Sequence, residues 1–175
     1  LLEQKSFDMV ITMPNLDDMD AQALGEKIKA KHPGLPVILL SHSLRSIFPQ
    51  GEYRKLVGID KVFIWSGNSD LLLALVKNAE DRLNVDRDTQ RVMVRVLVLV
   101  EDSPQYYSTF LPLIYKEIVK QTQAVLGVGL NEEHRLLRMR SRPKIMLAET
   151  YEEAMSLCRK YRAYLIGIIS DTRIP

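Results

Sequence analysis

Short apolar runs bounded by polar or turn-forming residues recur along the chain and predict six β-strands. Each run is short and lacks regularly alternating polar positions, which is typical of strands buried on both faces of a parallel sheet. The runs are Met9–Thr12, Val37–Leu40, Val62–Trp65, Val96–Val100, Ile145–Leu147 and Leu165–Ile169. The pattern therefore predicts a parallel sheet with both faces covered.

Apolar residues at three- and four-residue steps predict helices between these strands. The shorter helical patterns are Ala21–Lys31, Ser69–Leu83 and Tyr151–Tyr161. The longest follows Pro104, with an apolar face of Tyr107, Phe110, Leu111, Ile114, Tyr115, Ile118, Val119 and Val125. Alternating strands and helices imply right-handed crossovers, so we expect an α/β fold with a doubly wound parallel sheet in three αβα layers.

The segment from Asn84 to Arg91 is polar and charged and has no apolar periodicity. Such a segment is typical of a linker, and it separates two repeats of the strand and helix alternation. We therefore expect a first segment over residues 1–85 and a second over residues 92–175.

Composition changes this picture little. The formal net charge is only +2, from 24 basic and 22 acidic residues, so bulk electrostatics does not favour nucleic acid or anionic lipid. The single cysteine, Cys158, excludes an internal disulfide framework. No leader pattern opens the sequence and no apolar run reaches the roughly 20 residues of a membrane span, so we expect a cytoplasmic protein without membrane contact.

Acidic side chains follow two of the predicted strands. Glu101 and Asp102 come directly after Val96–Val100, and Asp171 comes shortly after Leu165–Ile169. Ligands of doubly wound sheets gather beyond the carboxyl ends of the strands, where like charges repel one another unless a cation is present. Mg²⁺ suits such a site because it binds a few carboxylates and keeps waters, so we predict a magnesium site for phosphoryl transfer. The alternative is that these acids are ordinary solvated strand-end residues.

The sequences VLVLVEDSP and IISDTRIP resemble the first and third strand motifs of bacterial response-regulator receiver domains, which have a flavodoxin-like fold. LAETYEEAMSL resembles the second strand and helix of the same family. The resemblance implies that Asp171 is the phosphoacceptor and that Glu101 and Asp102 are acidic metal ligands. It also implies that the backbone carbonyl of Arg173 completes the Mg²⁺ shell.

The first half resembles strands three to five of a receiver, through SFDMVITMPNLDDMDA, LPVILLSHS and GIDKVFIWSGNSDLLLALV. Alignment on Met19 and Asp20 puts Met13 at the phosphoacceptor position and Ser41 at the hydroxyl position. Trp65 stands where the family has a lysine. Because methionine cannot accept a phosphoryl group, the resemblance implies a degenerate first receiver.

The combination of both halves, with the segment LNEEHRLLRMRSRPKIMLAETYEEA, resembles the N-terminal region of bacterial phosphoenolpyruvate synthase or pyruvate phosphate dikinase-like proteins. This implies a regulatory module in a two-component phosphorelay, not itself an enzyme. Its partners would be a histidine kinase or other phosphoryl donor, an output domain of the same polypeptide and a second copy in a homodimer. The alternative is an unphosphorylated pseudo-receiver that serves as a dimerisation module.

The first half offers strands three to five of a receiver and the second offers strands one to three, truncated at Pro175. We therefore expect the halves to complement each other in one continuous sheet, within a chain or by exchange between chains. The basic residues Arg135, Arg138, Arg140, Arg142 and Lys144 lack interleaved aromatic residues. They indicate a solvated or partner-facing loop, and not a nucleic-acid interface.

Overall fold

The computed structural model of the chain describes residues 6–49, 53–126 and 142–171. They form two compact units, Leu1–Asn68 and Ser69–Pro175. Each unit contains a three-stranded sheet in which all neighbouring strands are parallel. The prediction of an α/β protein built on parallel strands is therefore confirmed.

The first unit has the strand order β1-β2-β3. Its elements are β1 (Val10–Thr12), α1 (Ala21–Lys31), β2 (Val37–Ser41), α2 (Leu44–Ile47) and β3 (Lys61–Ile64). The N-terminus of α1 is capped by Asp20, whose Oδ1 accepts the N–H of Ala23 at 2.7 Å. Buried Val37, Leu39 and Ile28 form part of the core between this sheet and α1.

A close backbone approach explains two glycines of the first unit. A Cβ atom on Gly25 would lie 2.6 Å from the carbonyl oxygen of Gly58, and Gly58 has a φ of +79°. Only glycine adopts this φ without strain, so the two glycines together let α1 touch the loop before β3.

The second unit has the strand order β5-β4-β6. Its elements are α3 (Asp70–Val92), β4 (Val96–Val100), α4 (Pro104–Leu126), β5 (Lys144–Ala148), α5 (Tyr151–Lys160) and β6 (Leu165–Ser170). Neither α3, α4 nor any other helix in the described residues combines the length and apolar character needed to cross a membrane.

Among the described residues, the predicted continuous sheet is not formed within one chain. Strands of the described residues pair into two separate sheets, and no strand pairs across the two units. The reason is local: β2 and β4 are the central strands of their sheets, and each unit encloses its own cluster of buried apolar residues. Exchange of strands between two chains stays a prediction.

The predicted linker from Asn84 to Arg91 is instead helical and forms the C-terminal half of α3. Its apolar Val85 and its Thr89 are buried, and its acids Asp86 and Asp88 pair with Lys160 and Lys144. The compact units therefore divide at Asn68 and Ser69, one helix earlier than residues 84–91. The polar residues of this segment pair with residues that are distant in the sequence. The sequence pattern alone therefore indicated a linker.

Candidate functional site

The acidic residues Glu101 and Asp171 lie at the same end of the second sheet. β4 and β6 are hydrogen-bonded neighbours with Val100 opposite Ser170, and the N–H of Asp171 donates to the carbonyl of Val100 at 3.2 Å. From β4 the chain crosses to β5 on one side and then to β6 on the other. The carboxyl ends of β4 and β6 therefore flank a topological switch point, which is the usual ligand-binding crevice of such sheets.

Glu101 carries the most unusual electrostatics of the three predicted acids. The residue is only 4% exposed, and its Oε1 accepts the N–H of Ser103 at 3.1 Å. Burial raises the pKa of Glu101, the Ser103 N–H opposes that rise, and the charges of Asp171 and Asp102 add to it. The site therefore contains an excess of negative charge that a bound cation would stabilise.

The two other acids are more accessible to solvent. Asp102 is half-buried and Asp171 is exposed. Asp171 therefore lies at the solvent-accessible side of the site, whereas Glu101 is held in place by its surroundings. The sequence thus identified residues that the fold brings together, although it did not distinguish their environments.

The start of α4 brings aromatic residues to the same site. The carbonyl of Ser103 accepts the N–H groups of Tyr106 and Tyr107, at 3.1 and 3.0 Å. This first turn directs Tyr107 into the core and leaves Tyr106 exposed. The rings of Tyr106 and Phe110 are stacked, with centroids 6.3 Å apart and an interplanar angle of 20°.

A cavity of about 440 Å³ lies between these aromatic rings and the strand ends. Its lining comprises Leu99, Val100, Glu101, Tyr106, Phe110, Ile169, Ser170 and Asp171. The volume is within the roughly 300–1,000 Å³ range of small-molecule sites. Sequence reasoning missed the aromatic side of the cavity because it assigned Phe110 to the buried face of the helix and did not single out Tyr106.

The arrangement of carboxylates fits Mg²⁺, which binds proteins through one or two carboxylates and keeps several waters. Glu101 and Asp171 are the carboxylates on neighbouring strand ends that would hold such an ion. Within the described ranges no three His, Cys, Asp or Glu side chains form a complete metal-binding group, so a cage of protein ligands is not seen there. Asp102 as a further ligand stays a prediction, and Arg173 lies outside the described residues.

The corresponding strand ends of the first unit carry different chemistry. Met13 follows β1 and is exposed, while Ser41 ends β2 and is buried. The Ser41 hydroxyl lies 2.7 Å from that of Ser46 and donates to the carbonyl of Ser43, and Trp65 follows β3. None of these side chains is a carboxylate, so the acidic strand-end residues of the second unit have no counterpart at these three positions.

A buried ionic network lies at the opposite end of the second sheet, where β5 begins. Asp81 of α3 is fully buried and accepts two hydrogen bonds from Arg142, at 2.7 and 2.9 Å, and one each from the Tyr115 hydroxyl and the Ile145 N–H. Lys144 pairs with Asp88 at 2.9 Å and with Asp81 at 3.4 Å. Burial disfavours the charged Arg142, but Asp81 outweighs it and raises the arginine pKa.

This network overturns the interpretation of Arg142 and Lys144 as members of a solvated loop, because both side chains are almost completely buried. The residues between 126 and 142 lie outside the described part of the chain. Sequence reasoning also overlooked Asp81, since an acid in a charged helix is normally exposed. Its position next to Asn78 and Val85 on the buried face of α3 was the available clue.

Comparison with known proteins adds no relative: no protein-family model matches the chain, and no curated protein or solved structure matches it either. The receiver resemblance thus depends on the residues quoted above.

Proposed function

We propose that the second unit is a receiver module that accepts a phosphoryl group on Asp171, with Mg²⁺, and regulates an attached output domain. The observation that carries the proposal is that exposed Asp171 and buried Glu101 follow neighbouring strands and line the same cavity. The strand order β5-β4-β6 supports it, because a flavodoxin-like sheet also places its first strand between its second and third.

The two acids would have different roles because their exposure to solvent differs. An exposed carboxylate oxygen of Asp171 can approach the phosphorus of a donor such as a histidine kinase, whereas Glu101 provides a fixed negative charge beside it. Bound Mg²⁺ would neutralise charge on the transferring group. A new phosphate on Asp171 would change the charge at the end of β6, which is a local event able to bias an interface.

Binding of Mg²⁺ with beryllofluoride, a phosphoryl analogue, tests this proposal by thermal unfolding. A ligand that binds only the folded state at about 100 times its dissociation constant stabilises it by roughly 2.7 kcal/mol. We expect such a gain for the natural chain, and no gain for Asp171→Asn or Glu101→Gln. Asp18→Asn, a matched change at an exposed loop acid of the first unit, should keep the full gain. Equal stabilisation of all variants would refute the proposal.

The dimerisation alternative is favoured by one specific observation. Tyr106, Phe110 and Leu113 are 57%, 42% and 60% exposed and follow one another at four- and three-residue steps along α4. Such spacing puts them on one face of the helix, and exposed apolar faces often mark contacts between proteins. A second copy could therefore pack against α4.

Sedimentation equilibrium of the natural chain and of Leu113→Asp tests that alternative. A dimer built on α4 should dissociate in the variant, because a buried unpaired charge would then stand at the interface. Leu73→Asp, at a similarly exposed leucine on α3, is the control and should leave the dimer intact. A monomeric natural chain, or a dimer indifferent to both changes, would exclude the α4 dimer.

A further inference from the structure

A group of exposed basic side chains lies at the end of the second unit opposite to the acidic site. Because its strands are parallel, this end brings together the starts of β4 and β6 and the last turns of the helices before them, α3 and α5. The carbonyl of Tyr164 accepts the N–H of Val96 at 2.9 Å. Arg95 donates to the carbonyl of Leu165 at 3.2 Å, which joins the two strand starts. We call the exposed cations of this end the basic pole: Arg87, Arg91, Arg95, Arg159, Lys160 and Arg162.

Most cations of the basic pole lack a carboxylate partner. Lys160 pairs with Asp86 at 2.8 Å, and Arg87 pairs with Asp88 at 3.2 Å. The members that form no ion pair with the described residues are Arg91, Arg95, Arg159 and Arg162. The pole therefore has an excess of positive charge, although the net charge of the whole chain is only +2.

Helix geometry explains only part of this charge. Arg91 lies in the last turn of α3, and Arg159 and Lys160 lie in the last turn of α5, where the helix dipole favours cations. Arg95 and Arg162 lie outside both helices, in the connections that lead into β4 and β6. A function in binding would explain why arginines continue beyond the helix ends.

Two exposed apolar residues lie among the arginines. Val92 ends α3 and is 42% exposed, and Met93 follows it at 68% exposure. Met93 has a φ of +57°, a left-handed conformation that glycine usually adopts at a helix end and in which a side chain causes strain. Packing does not explain a methionine that is mostly exposed. An adaptable apolar side chain at this position instead suits contact with a partner.

The combination of arginines and apolar side chains favours one class of partner. Planar guanidinium groups bind carboxylates and phosphates through paired hydrogen bonds, so the arginines alone fit an acidic protein or a nucleic acid. A nucleic-acid backbone offers Val92 and Met93 little apolar surface. A polypeptide segment with both acidic and apolar residues can contact both kinds of side chain.

We propose that the basic pole binds a partner segment that carries both acidic and apolar residues. The arginines bind its carboxylates, and Met93 and Val92 contact its apolar side chains. This inference goes beyond the proposed function, because it requires neither Asp171 nor Mg²⁺.

Fluorescence anisotropy with labelled peptides tests this inference on the natural chain at about 0.05 M salt, where screening of charges is weak. In the first peptide glutamate and leucine alternate. The second peptide has serine in place of leucine, and the third has glutamine in place of glutamate. We expect the first to bind most tightly, the second more weakly and the third not measurably, and we expect added salt to weaken binding of the first.

Substitutions at the basic pole separate the two kinds of contact. Arg91→Gln and Arg162→Gln should each weaken binding of the first peptide by about threefold, as expected for exposed ion pairs, and together by about tenfold. Met93→Gly should weaken binding of the first peptide but not of the second. It should not lower the urea midpoint, because glycine adopts the left-handed φ without strain. A purely structural role of Met93 would leave the preference for the first peptide unchanged.

Arg54→Gln, at an exposed arginine of the first unit, is the matched control and should bind all peptides as the natural chain does. Failure of the first peptide to bind, or equal binding by the natural chain and by the variant with both arginines replaced, would overturn the inference and leave the phosphoacceptor role intact. Tighter binding of a DNA duplex or of phosphatidylserine vesicles than of the first peptide would also overturn it, because the pole would then bind nucleic acid or a lipid surface.

Discussion

At the scale of single residues, the position of Glu101 at a strand end determines its burial and its charge. A glutamate after a buried strand is expected to be solvated, but here the backbone N–H of Ser103 and the packing around β4 hold it inside. Its neighbours Asp102 and Asp171 are also acids, so its charged form is disfavoured. Ionisation of Glu101 in the folded chain therefore costs stability, and a cation bound beside it would offset that cost.

Glu101→Gln should stabilise the protein at neutral pH in the absence of metal. Because the folded-state pKa of Glu101 is raised, the folded chain holds the proton more tightly than the unfolded chain. The stability associated with this group is thus fully present below its unfolded pKa and is lost as pH rises through the folded pKa. Urea unfolding at about pH 4 and pH 8 spans that window and should show a smaller decline for the variant, and a gain of roughly 0.5–2 kcal/mol at the higher pH.

The matched control for that comparison is Glu26→Gln, since Glu26 is an exposed glutamate on α1. It should change neither the stability at pH 8 nor the slope with pH by a measurable amount. The stability of the natural chain should fall more between the two pH values than that of Glu101→Gln. An equal or smaller fall would contradict the assignment of a raised pKa to Glu101.

At the scale of the elements, ion pairs and hydrogen bonds join α3 to β5 and α4 in addition to apolar contacts. Asp81 accepts hydrogen bonds from residues of both partners, and Lys144 bridges Asp81 and Asp88. Pairing of this quality is required for burial, because an unpaired buried charge costs several kcal/mol. The ion pairs therefore define how α3 sits on the sheet of its own unit.

Asp81→Asn should destabilise the second unit by about 3–5 kcal/mol, since it leaves Arg142 and Lys144 buried without their full counter-charge. Asp70→Asn on the same helix is the control: its pair with Lys116 is 2.9 Å long but exposed, so its loss should cost no more than about 1 kcal/mol. Urea unfolding of both variants measures the difference. Equal losses of unfolding free energy in the two variants would show that the buried network contributes no more to stability than the exposed ion pair.

The helices also show how far periodicity can be trusted. Spacing on α4 correctly predicted a long helix after Pro104 and the burial of Tyr107, Leu111 and Tyr115. It placed Phe110 on the same face, but that side chain is 42% exposed and lines the cavity. Apolar spacing identifies the helix and its approximate face, whereas the exact edge of that face depends on which strands and helices pack against it.

At the scale of the whole molecule, local and non-local structure were predictable to different degrees. Each predicted strand overlaps an observed one, because buried apolar runs are a local feature of the sequence. Pairing is non-local: adjacent β4 and β6 could be inferred, but separation into two sheets could not. The acids at the ends of β4 and β6 were predictable for the same reason as the strands, and the burial of Glu101 was not.

The position of α3 predicts where the chain can be divided. Residues 69–175 retain α3 and its ion pairs, so this piece should unfold cooperatively on its own. Residues 92–175 lack Asp81 and Asp88 and leave Arg142, Lys144 and Tyr115 without their partners, so this piece should not fold. Circular dichroism during thermal unfolding distinguishes the two pieces. A cooperative transition in residues 92–175 would contradict the assignment of α3 to the second unit.

The most direct test of phosphorylation on Asp171 is to locate the modified residue chemically. Phosphoramidate and Mg²⁺ should convert Asp171 to an aspartyl phosphate, which borohydride reduces to homoserine at the same position. Peptide mass spectrometry then locates the homoserine. We predict that it appears at position 171 and that it is absent when Mg²⁺ is omitted or when Glu101→Gln is used. Homoserine at other acids instead, or none at position 171 with excess donor, would contradict the account.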